Sequence, residues 1–201
     1  MARWSTRWWG RFPRPNWKRS SRKQSKGKAV RVEFTKLFRP GISFVVAAVL
    51  LSPVGAHAIL QKGDPAPPIK VTTTSGQPVT LANYRGYVLV MDFFATWCVP
   101  CRDSIPHLKD LSRRFGTQGL QVLGMSVDEG GDKVVKEFIA SKRLNYPVAL
   151  TDEDLQTEYG LRSVPTIFII SKKGVVAERF QGFNDDIARK METLIVKLLA
   201  E

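Results

Sequence analysis

The feature that most constrains the fold is an apolar run at residues 87–94 that passes directly into a helical pattern. The run reads Tyr-Val-Leu-Val-Met-Asp-Phe-Phe and holds a single charged residue. Such a run is typical of a strand that is buried on both faces, as in sheets covered by helices on each side. Apolar residues then recur at helical spacing from about Pro100 to Phe115. The sequence therefore predicts an α/β domain.

Strands and helices alternate along the rest of the chain. Further strands are predicted at 120–126 and 166–170, with a short segment at 148–150, and helices at 132–142, 152–159 and 184–199. A hairpin is predicted at 69–74 and 77–81, and residues 175–180 form a closing hairpin with the third apolar strand. The alternation predicts a parallel sheet with an antiparallel edge. The expected architecture is a central mixed sheet flanked by helices, with an N-terminal β-hairpin extension.

The formal net charge of +13 belongs almost entirely to the first part of the chain. Residues 1–58 hold 13 Lys and Arg residues and one acid, Glu33, whereas residues 59–201 hold 18 basic and 17 acidic residues. A nearly neutral globular part lacks the basic footprint of a nucleic-acid-binding domain. We therefore predict a leader at 1–58, a folded domain at 59–201 and no nucleic-acid partner.

The leader has the pattern of a secretory signal peptide. A basic stretch precedes an apolar core at 42–51, and Ala56-His57-Ala58 supplies a small-x-small cleavage site after Ala58. Ten apolar residues fall short of the roughly 20 that span a bilayer. We expect a periplasmic or otherwise exported protein that contacts the membrane only if the leader stays uncleaved. In that case the leader would tether it to the inner membrane.

The basic segment before this core is longer than an ordinary signal peptide requires. One interpretation places the true start downstream, at Val30 or Val32. A second is an organelle transit peptide, because the stretch is rich in Arg and Ser and lacks acids before Glu33. A third is a tail for nucleic acid or anionic lipid.

The chain has two cysteines, Cys98 and Cys101, at the junction between the first buried strand and its helix. A helix N-terminus presents unpaired N–H groups that stabilise a thiolate, so the pKa of Cys98 is expected below the free value of about 8.5. Pro100 suits the first turn of a helix. We predict that Cys98 attacks a target disulfide and that Cys101 resolves the mixed disulfide. The alternatives are an inert disulfide and half of a zinc site, but the sequence offers no second ligand pair.

Asp92 lies inside the apolar run, six residues before Cys98. Burial without a partner would raise the pKa of its carboxyl and make it a proton exchanger near neutral pH. We predict that it takes the proton from Cys101 as that thiol attacks. The alternative is a solvated aspartate at the end of a strand.

Val164 and Pro165 immediately precede the third apolar strand. Periodicity leaves two interpretations open, a proline that opens a strand and a cis proline whose neighbouring backbone docks substrate. Trp97 is interpreted as an aromatic residue on the rim of the cysteine site, with a core position as the alternative.

The sequence resembles the thioredoxin superfamily, and within it the TlpA/ResA-like exported thiol-disulfide oxidoreductases, over about residues 61–199. The motifs that carry the resemblance are Gly63 with Ala66-Pro67, Arg85-Gly86, residues 92–102 (DFFATWCVPCR), Pro106, residues 159–166 (YGLRSVPT) and Gly174. The resemblance implies a thioredoxin-like fold with an exposed nucleophile at Cys98 and a buried resolving thiol at Cys101. It also implies that Pro165 is cis and faces the cysteines.

The resemblance implies disulfide-containing protein substrates, which would contact Trp97, Val99, Pro100, Val164 and Pro165. It implies a membrane electron donor of the thiol-relay type, and neither a cofactor nor a metal. Many relatives of this group reduce apocytochrome c, and several of these carry a Glu three residues after the second cysteine, where this chain has Ser104. A broader periplasmic reductase is therefore equally consistent with the sequence.

Three alternatives share the fold. The first is an oxidant that forms disulfides through the same cysteines. The second is a peroxiredoxin-like peroxidase, although Met91 and Ala95 stand where its Pro-x-x-x-Thr-x-x-Cys pattern requires Pro and Thr. The third is a copper-delivery module, although such modules use a CxxxC pair with a distant His, and no His follows His107.

Overall fold

The computed structural model of the protein describes residues 59–201. The predicted signal peptide, its apolar core at 42–51 and its cleavage site after Ala58 lie outside these residues. In chain order the elements are β1 (Lys70–Thr72), β2 (Pro78–Thr80), β3 (Val88–Phe94), α1 (Val99–Phe115), β4 (Leu120–Ser126), α2 (Gly131–Lys142), β5 (Val148–Leu150), α3 (Glu153–Glu158), β6 (Thr166–Ile170), β7 (Val176–Gln181) and α4 (Asp185–Leu199).

Five strands form a mixed sheet in the order β5-β4-β3-β6-β7. The central strand β3 pairs in parallel with β4 over its whole length, from Val88 beside Leu120 to Phe94 beside Ser126. All seven residues of β3 are buried, as its continuous apolar run predicted. The thioredoxin-like fold class, with its mixed sheet and flanking helices, is confirmed.

The orientation of β6 corrects the expectation that antiparallel pairing is confined to an edge hairpin. β6 runs antiparallel to the central strand β3, and β7 runs antiparallel to β6. The connection from β5 contains only the six-residue helix α3, which rises about 9 Å. Because this helix is too short to carry the chain back along the sheet, β6 begins at the end where β5 stops and runs the other way.

Helices cover one face of the sheet more heavily than the other. Buried residues of α1, α2 and α4 share one apolar cluster with that face, whose members include Val90, Leu108, Leu111, Phe138, Met191 and Ile195. The second face carries another cluster, which includes Ile69, Phe93, Leu155, Tyr159 and Phe168. Because each face of β3 packs against one of these apolar clusters, almost all of its residues are apolar.

The predicted N-terminal hairpin is present as a separate two-stranded sheet. β1 and β2 pair antiparallel, with Val71 beside Val79. A bridge from Thr73 to Ala149 and a hydrogen bond from the Tyr159 hydroxyl to the Pro67 carbonyl (2.8 Å) connect this region to the domain.

Within residues 59–201, none of the helices combines the length and the hydrophobicity that crossing a membrane requires.

Candidate active site

The two cysteines lie where the chain leaves β3 and begins α1. Cys98 is the N-cap residue of α1, and Cys101 lies in the first turn of that helix. Their sulfurs form a disulfide, with the Cα atoms 5.3 Å apart. The three-residue spacing thus brings both side chains together, as the sequence predicted.

The helix N-terminus provides a polar contact to Cys98. The backbone N–H of Cys101 donates a hydrogen bond to Cys98 Sγ at 3.2 Å. Pro100, in the first turn, has no N–H to leave unsatisfied. After reduction, the same N–H groups and the positive end of the helix dipole would stabilise a thiolate at Cys98. A low pKa for this thiol stays a prediction.

The accessibility of the two cysteines differs from the expectation that Cys98 is an exposed nucleophile. Cys98 is only 4% exposed and Cys101 is fully buried. Cys98 is thus the more accessible of the two cysteines, as expected, but both are buried. The neighbouring side chains are the exposed ones, with Trp97 at 67% and Val99 at 65%. Trp97 is therefore a rim residue rather than a core residue. An apolar rim surrounds a sulfur pair that offers little surface itself.

Asp92 is the fifth residue of β3 and is 1% exposed, which excludes the alternative of a solvated aspartate at a strand end. Its Oδ1 atom finds no hydrogen-bond partner among the described residues. Burial raises the pKa of the carboxyl from 3.8 to about 7. The carboxyl can therefore gain or lose a proton close to neutral pH.

The face of the sheet that carries Asp92 is the face covered by α1. Residues two apart on a strand share a face, so Asp92 points to the same side as Val90 and Phe94. Both of those residues belong to the apolar cluster that includes Cys98 and Cys101. The sheet thus places the buried carboxyl on the side of the redox pair.

Sequence reasoning missed Tyr146, which precedes β5. The ring is 8% exposed, and burial together with the charge of Asp92 raises the pKa of its hydroxyl well above 10. Tyr146 is close to Gly124, the residue beside Asp92 on β4. A tyrosine in a loop gave no periodic signal that could have placed it there.

Pro165 follows a cis peptide bond from Val164, as the resemblance implied, and it directly precedes β6. The docking of substrate by its neighbouring backbone stays a prediction. Thr166, the first residue of β6, pairs with Phe93, so Pro165 lies one position beyond this pair, at the end of β3 where the cysteine loop begins. Val164 packs against the apolar cluster that contains both cysteines. Val164 also packs against the second cluster, so the structure places both residues at the end of the sheet where the cysteine loop begins.

A second residue that the sequence did not reveal is Asp128, two positions after the end of β4. Its carboxylate accepts hydrogen bonds from the backbone N–H of Thr96 (2.9 Å) and from the Thr96 hydroxyl (2.7 Å). Thr96 lies two residues before Cys98 in the loop that presents the disulfide. An acid in a glycine-rich turn is most often exposed to solvent, so the sequence pattern gives no sign of this contact and only the structure reveals it.

Residues 59–201 contain no group of three or more His, Cys, Asp and Glu side chains placed to hold a metal ion. His107 lies on α1, and its ring contacts Phe183 at 5.8 Å between centroids. Burial lowers the pKa of His107.

Comparison with known proteins agrees with this chemistry. The model of the AhpC/TSA family matches residues 62–179. The thiol-disulfide oxidoreductase ResA of Bacillus thuringiensis is 32% identical over 124 residues, which cover 61% of this chain and 71% of that protein. ResA of Bacillus subtilis is 29% identical over 124 residues, covering 61% and 69%.

A solved structure from Chlorobium tepidum, described as a thiol:disulfide interchange protein DsbE, has a TM-score of 0.66 and 30% sequence identity. The match covers 70% of this chain and 99% of that one. The resemblance inferred from the motifs is confirmed by the family match, the curated relatives and this structure. The chain therefore belongs to the AhpC/TSA family and, within it, groups with the thiol-disulfide oxidoreductases of the ResA and DsbE type.

Proposed function

We propose that the protein is exported and reduces disulfides of other exported proteins through Cys98 and Cys101. The observation that carries this proposal is the combination at one site of a helix-capping cysteine pair and the buried carboxyl of Asp92. The Cys101 N–H contacts Cys98 Sγ at 3.2 Å, and burial raises the pKa of Asp92 to about 7. Together they supply a nucleophile and a proton acceptor.

The first step is attack by the Cys98 thiolate on a sulfur of the substrate disulfide. A mixed disulfide forms between Cys98 and the substrate, the substrate S–S bond breaks, and the leaving sulfur takes up a proton as a thiol. Trp97, Val99 and Pro100 would contact the substrate, because they form the exposed rim beside a sulfur pair with little surface. Val164 and Pro165 would complete the docking surface from the start of β6.

The second step resolves the mixed disulfide. The Cys101 thiol transfers its proton to the carboxylate of Asp92 and attacks Cys98 Sγ, which forms the Cys98–Cys101 disulfide and breaks the bond to the substrate. The second substrate sulfur leaves as a thiolate and takes up a proton from solvent. Two electrons pass from the dithiol to the substrate. A carboxyl with a pKa of about 7 can accept this proton and return it to solvent at neutral pH.

A reductase of this type must be reduced again after each cycle. We propose a membrane thiol donor, which would attack the Cys98–Cys101 disulfide from the extracytoplasmic side. The predicted signal peptide supports a periplasmic location, and the tethered form would result if cleavage did not occur. Substrates would be disulfide-containing exported proteins, with apocytochrome c among them.

Recognition of apocytochrome c is the narrower form of the proposal. Ser104 occupies the position where several relatives in cytochrome maturation carry a Glu. Here Ser104 is fully buried and its hydroxyl donates to the Cys101 carbonyl at 2.9 Å. Because this hydroxyl already donates a hydrogen bond within the helix, we favour a general reductase over one dedicated to cytochromes.

Trapping of the mixed disulfide tests the proposal. The variant Cys101→Ala cannot resolve, so reduced protein mixed with a disulfide-containing exported protein should accumulate a covalent complex that added thiol releases. The matched control is Cys98→Ala, which should form far less complex because Cys101 is fully buried. Equal trapping by both variants, or by neither, would contradict the assigned roles.

A further inference from the structure

Asp128 is a buried carboxylate at the end of the sheet where the cysteine loop begins. It is 8% exposed, and it accepts three hydrogen bonds, from the N–H of Thr96 (2.9 Å), the hydroxyl of Thr96 (2.7 Å) and the hydroxyl of Ser126 (2.7 Å). The N–H of Asp128 donates to Ser126 Oγ at 3.1 Å. Charge-assisted hydrogen bonds of this kind are about twice as strong as neutral ones. The carboxylate therefore forms a firm attachment for Thr96.

Thr96 is held from its other side as well. The Arg102 side chain donates to the Thr96 carbonyl at 2.9 Å, so the N–H, the hydroxyl and the carbonyl of Thr96 all have partners. The N–H of Cys98 donates to the Ala95 carbonyl at 3.1 Å. These contacts fix the backbone of the loop immediately before Cys98.

This attachment matters most when the disulfide is reduced. In the oxidised protein, the bond to Cys101 itself holds Cys98 at the N-terminus of α1. After reduction that bond is gone, and the hydrogen bond from the Cys101 N–H to Cys98 Sγ forms only if the loop keeps Cys98 at the N-cap position. The contact between Asp128 and Thr96 involves neither sulfur, so breaking the disulfide removes none of its donors or acceptors.

We propose that Asp128 is a positioning residue for the thiol-disulfide exchange: through Thr96, it holds the reduced Cys98 at the N-terminus of α1. This inference rests on the proposed role of Cys98 as the attacking nucleophile. The negative charge of Asp128 acts in the opposite sense, because a nearby anion disfavours a thiolate. Positioning and direct charge thus predict opposite effects on Cys98, which makes the two separable.

The test changes the contact without changing any charge. Thr96→Val removes the hydroxyl that donates to Asp128, and Thr96→Ser retains it. Cys98 in the reduced full-length chain is alkylated with iodoacetamide over a range of pH values, and mass spectrometry follows Cys98 separately from Cys101. We expect Thr96→Val to raise the pKa of Cys98 and to slow its alkylation at pH 7 by about three- to tenfold, the size of one lost hydrogen bond. Thr96→Ser should stay within about twofold of the wild type.

A double-mutant cycle tests whether the effect passes through Asp128. In an Asp128→Ala background Thr96→Val has no contact to remove, so we expect its effect on the alkylation rate to disappear. The control for general destabilisation is Asp152→Ala, which removes the carboxylate that accepts from the Leu155 N–H (2.8 Å) and caps α3. This control should lower stability and leave Cys98 reactivity unchanged.

Three results would overturn the inference. These are wild-type reactivity in Thr96→Val, an unchanged effect of that substitution in the Asp128→Ala background, and an equal loss of reactivity in Asp152→Ala. If Asp128→Ala does not fold, the comparison of Thr96→Val with Thr96→Ser decides alone. Alkylation needs no disulfide substrate, so failure of the proposed reductase activity would be seen separately, in the trapping experiment.

Discussion

Asp92 on β3 stands directly beside Gly124 on β4 in the register of the two central parallel strands. A Cβ atom at residue 124 would lie 3.0 Å from Val148 Cγ2, 3.2 Å from Phe94 Cε1 and 3.5 Å from Tyr146 Cε2. The space next to the carboxyl is thus closed by apolar and aromatic groups, and β4 contributes no side chain there. This environment explains why burial raises the pKa of Asp92 to about 7.

The raised pKa predicts a pH-dependent cost in stability. The folded protein keeps the Asp92 proton up to about pH 7, whereas the unfolded chain releases it near pH 3.8. Stability therefore falls as pH rises from about 4 to about 7, by about 4 kcal/mol in total, and the cost is constant above that range. Asp92→Asn removes the titration, so we expect a higher free energy of unfolding at pH 8 and little change at pH 4.

Denaturant unfolding of the oxidised protein at the two pH values measures this difference. The same substitution should slow resolution of the mixed disulfide by Cys101, because the proton acceptor is lost. A stability change of the same size at pH 4 and pH 8 would show that the effect of Asp92→Asn is not titration.

The close packing around Gly124 predicts that even one methyl group is costly there. Gly124→Ala would force Val148 or Phe94 to move, and overpacking of this kind costs about 1–3 kcal/mol of unfolding free energy. The matched control is Gly116→Ala. Gly116 has φ −55° and no heavy atom within 4 Å of its Cβ position, so this substitution should be neutral or slightly stabilising. Equal effects of the two substitutions in thermal unfolding would contradict the packing described.

The position of Trp97 on the exposed rim predicts that replacing it lowers the activity with protein substrates but not with small ones. Trp97 is 67% exposed, so Trp97→Ala should change stability by less than about 0.5 kcal/mol. It should lower kcat/KM for a protein disulfide, which must cover the rim, and spare the reaction with a small-molecule disulfide. Val196→Ala, at a 49% exposed position on α4, is the control and should leave both rates unchanged. An equal loss of both rates in Trp97→Ala would assign Trp97 to the reactivity of Cys98 instead of to binding.

The apolar runs predicted the central strands well because burial on both faces leaves a continuous signal. β4 and β6 have the bounds expected from the sequence, 120–126 and 166–170. The direction of β6 could not be predicted in this way, since a strand has the same pattern in either direction. Its direction follows from the shortness of α3, a feature that the sequence also indicates.

The parts of the candidate site that a local sequence pattern marks were predictable. Spacing placed Cys98 and Cys101 together, and a charged residue inside an apolar run indicated the burial of Asp92. Tyr146 and Asp128 were not predictable, because the charge effect of Asp92 on Tyr146 and the hydrogen bonds from Thr96 to Asp128 cross between separate strands and loops. Such contacts depend on register, which one sequence does not reveal.

The reduction potential of the Cys98–Cys101 pair tests the central claim most directly, by equilibrating the purified protein against thiol redox buffers. A reductase of exported proteins predicts a value near or below about −220 mV. A value near about −120 mV would contradict that direction and identify a disulfide-forming oxidant that uses the same two cysteines.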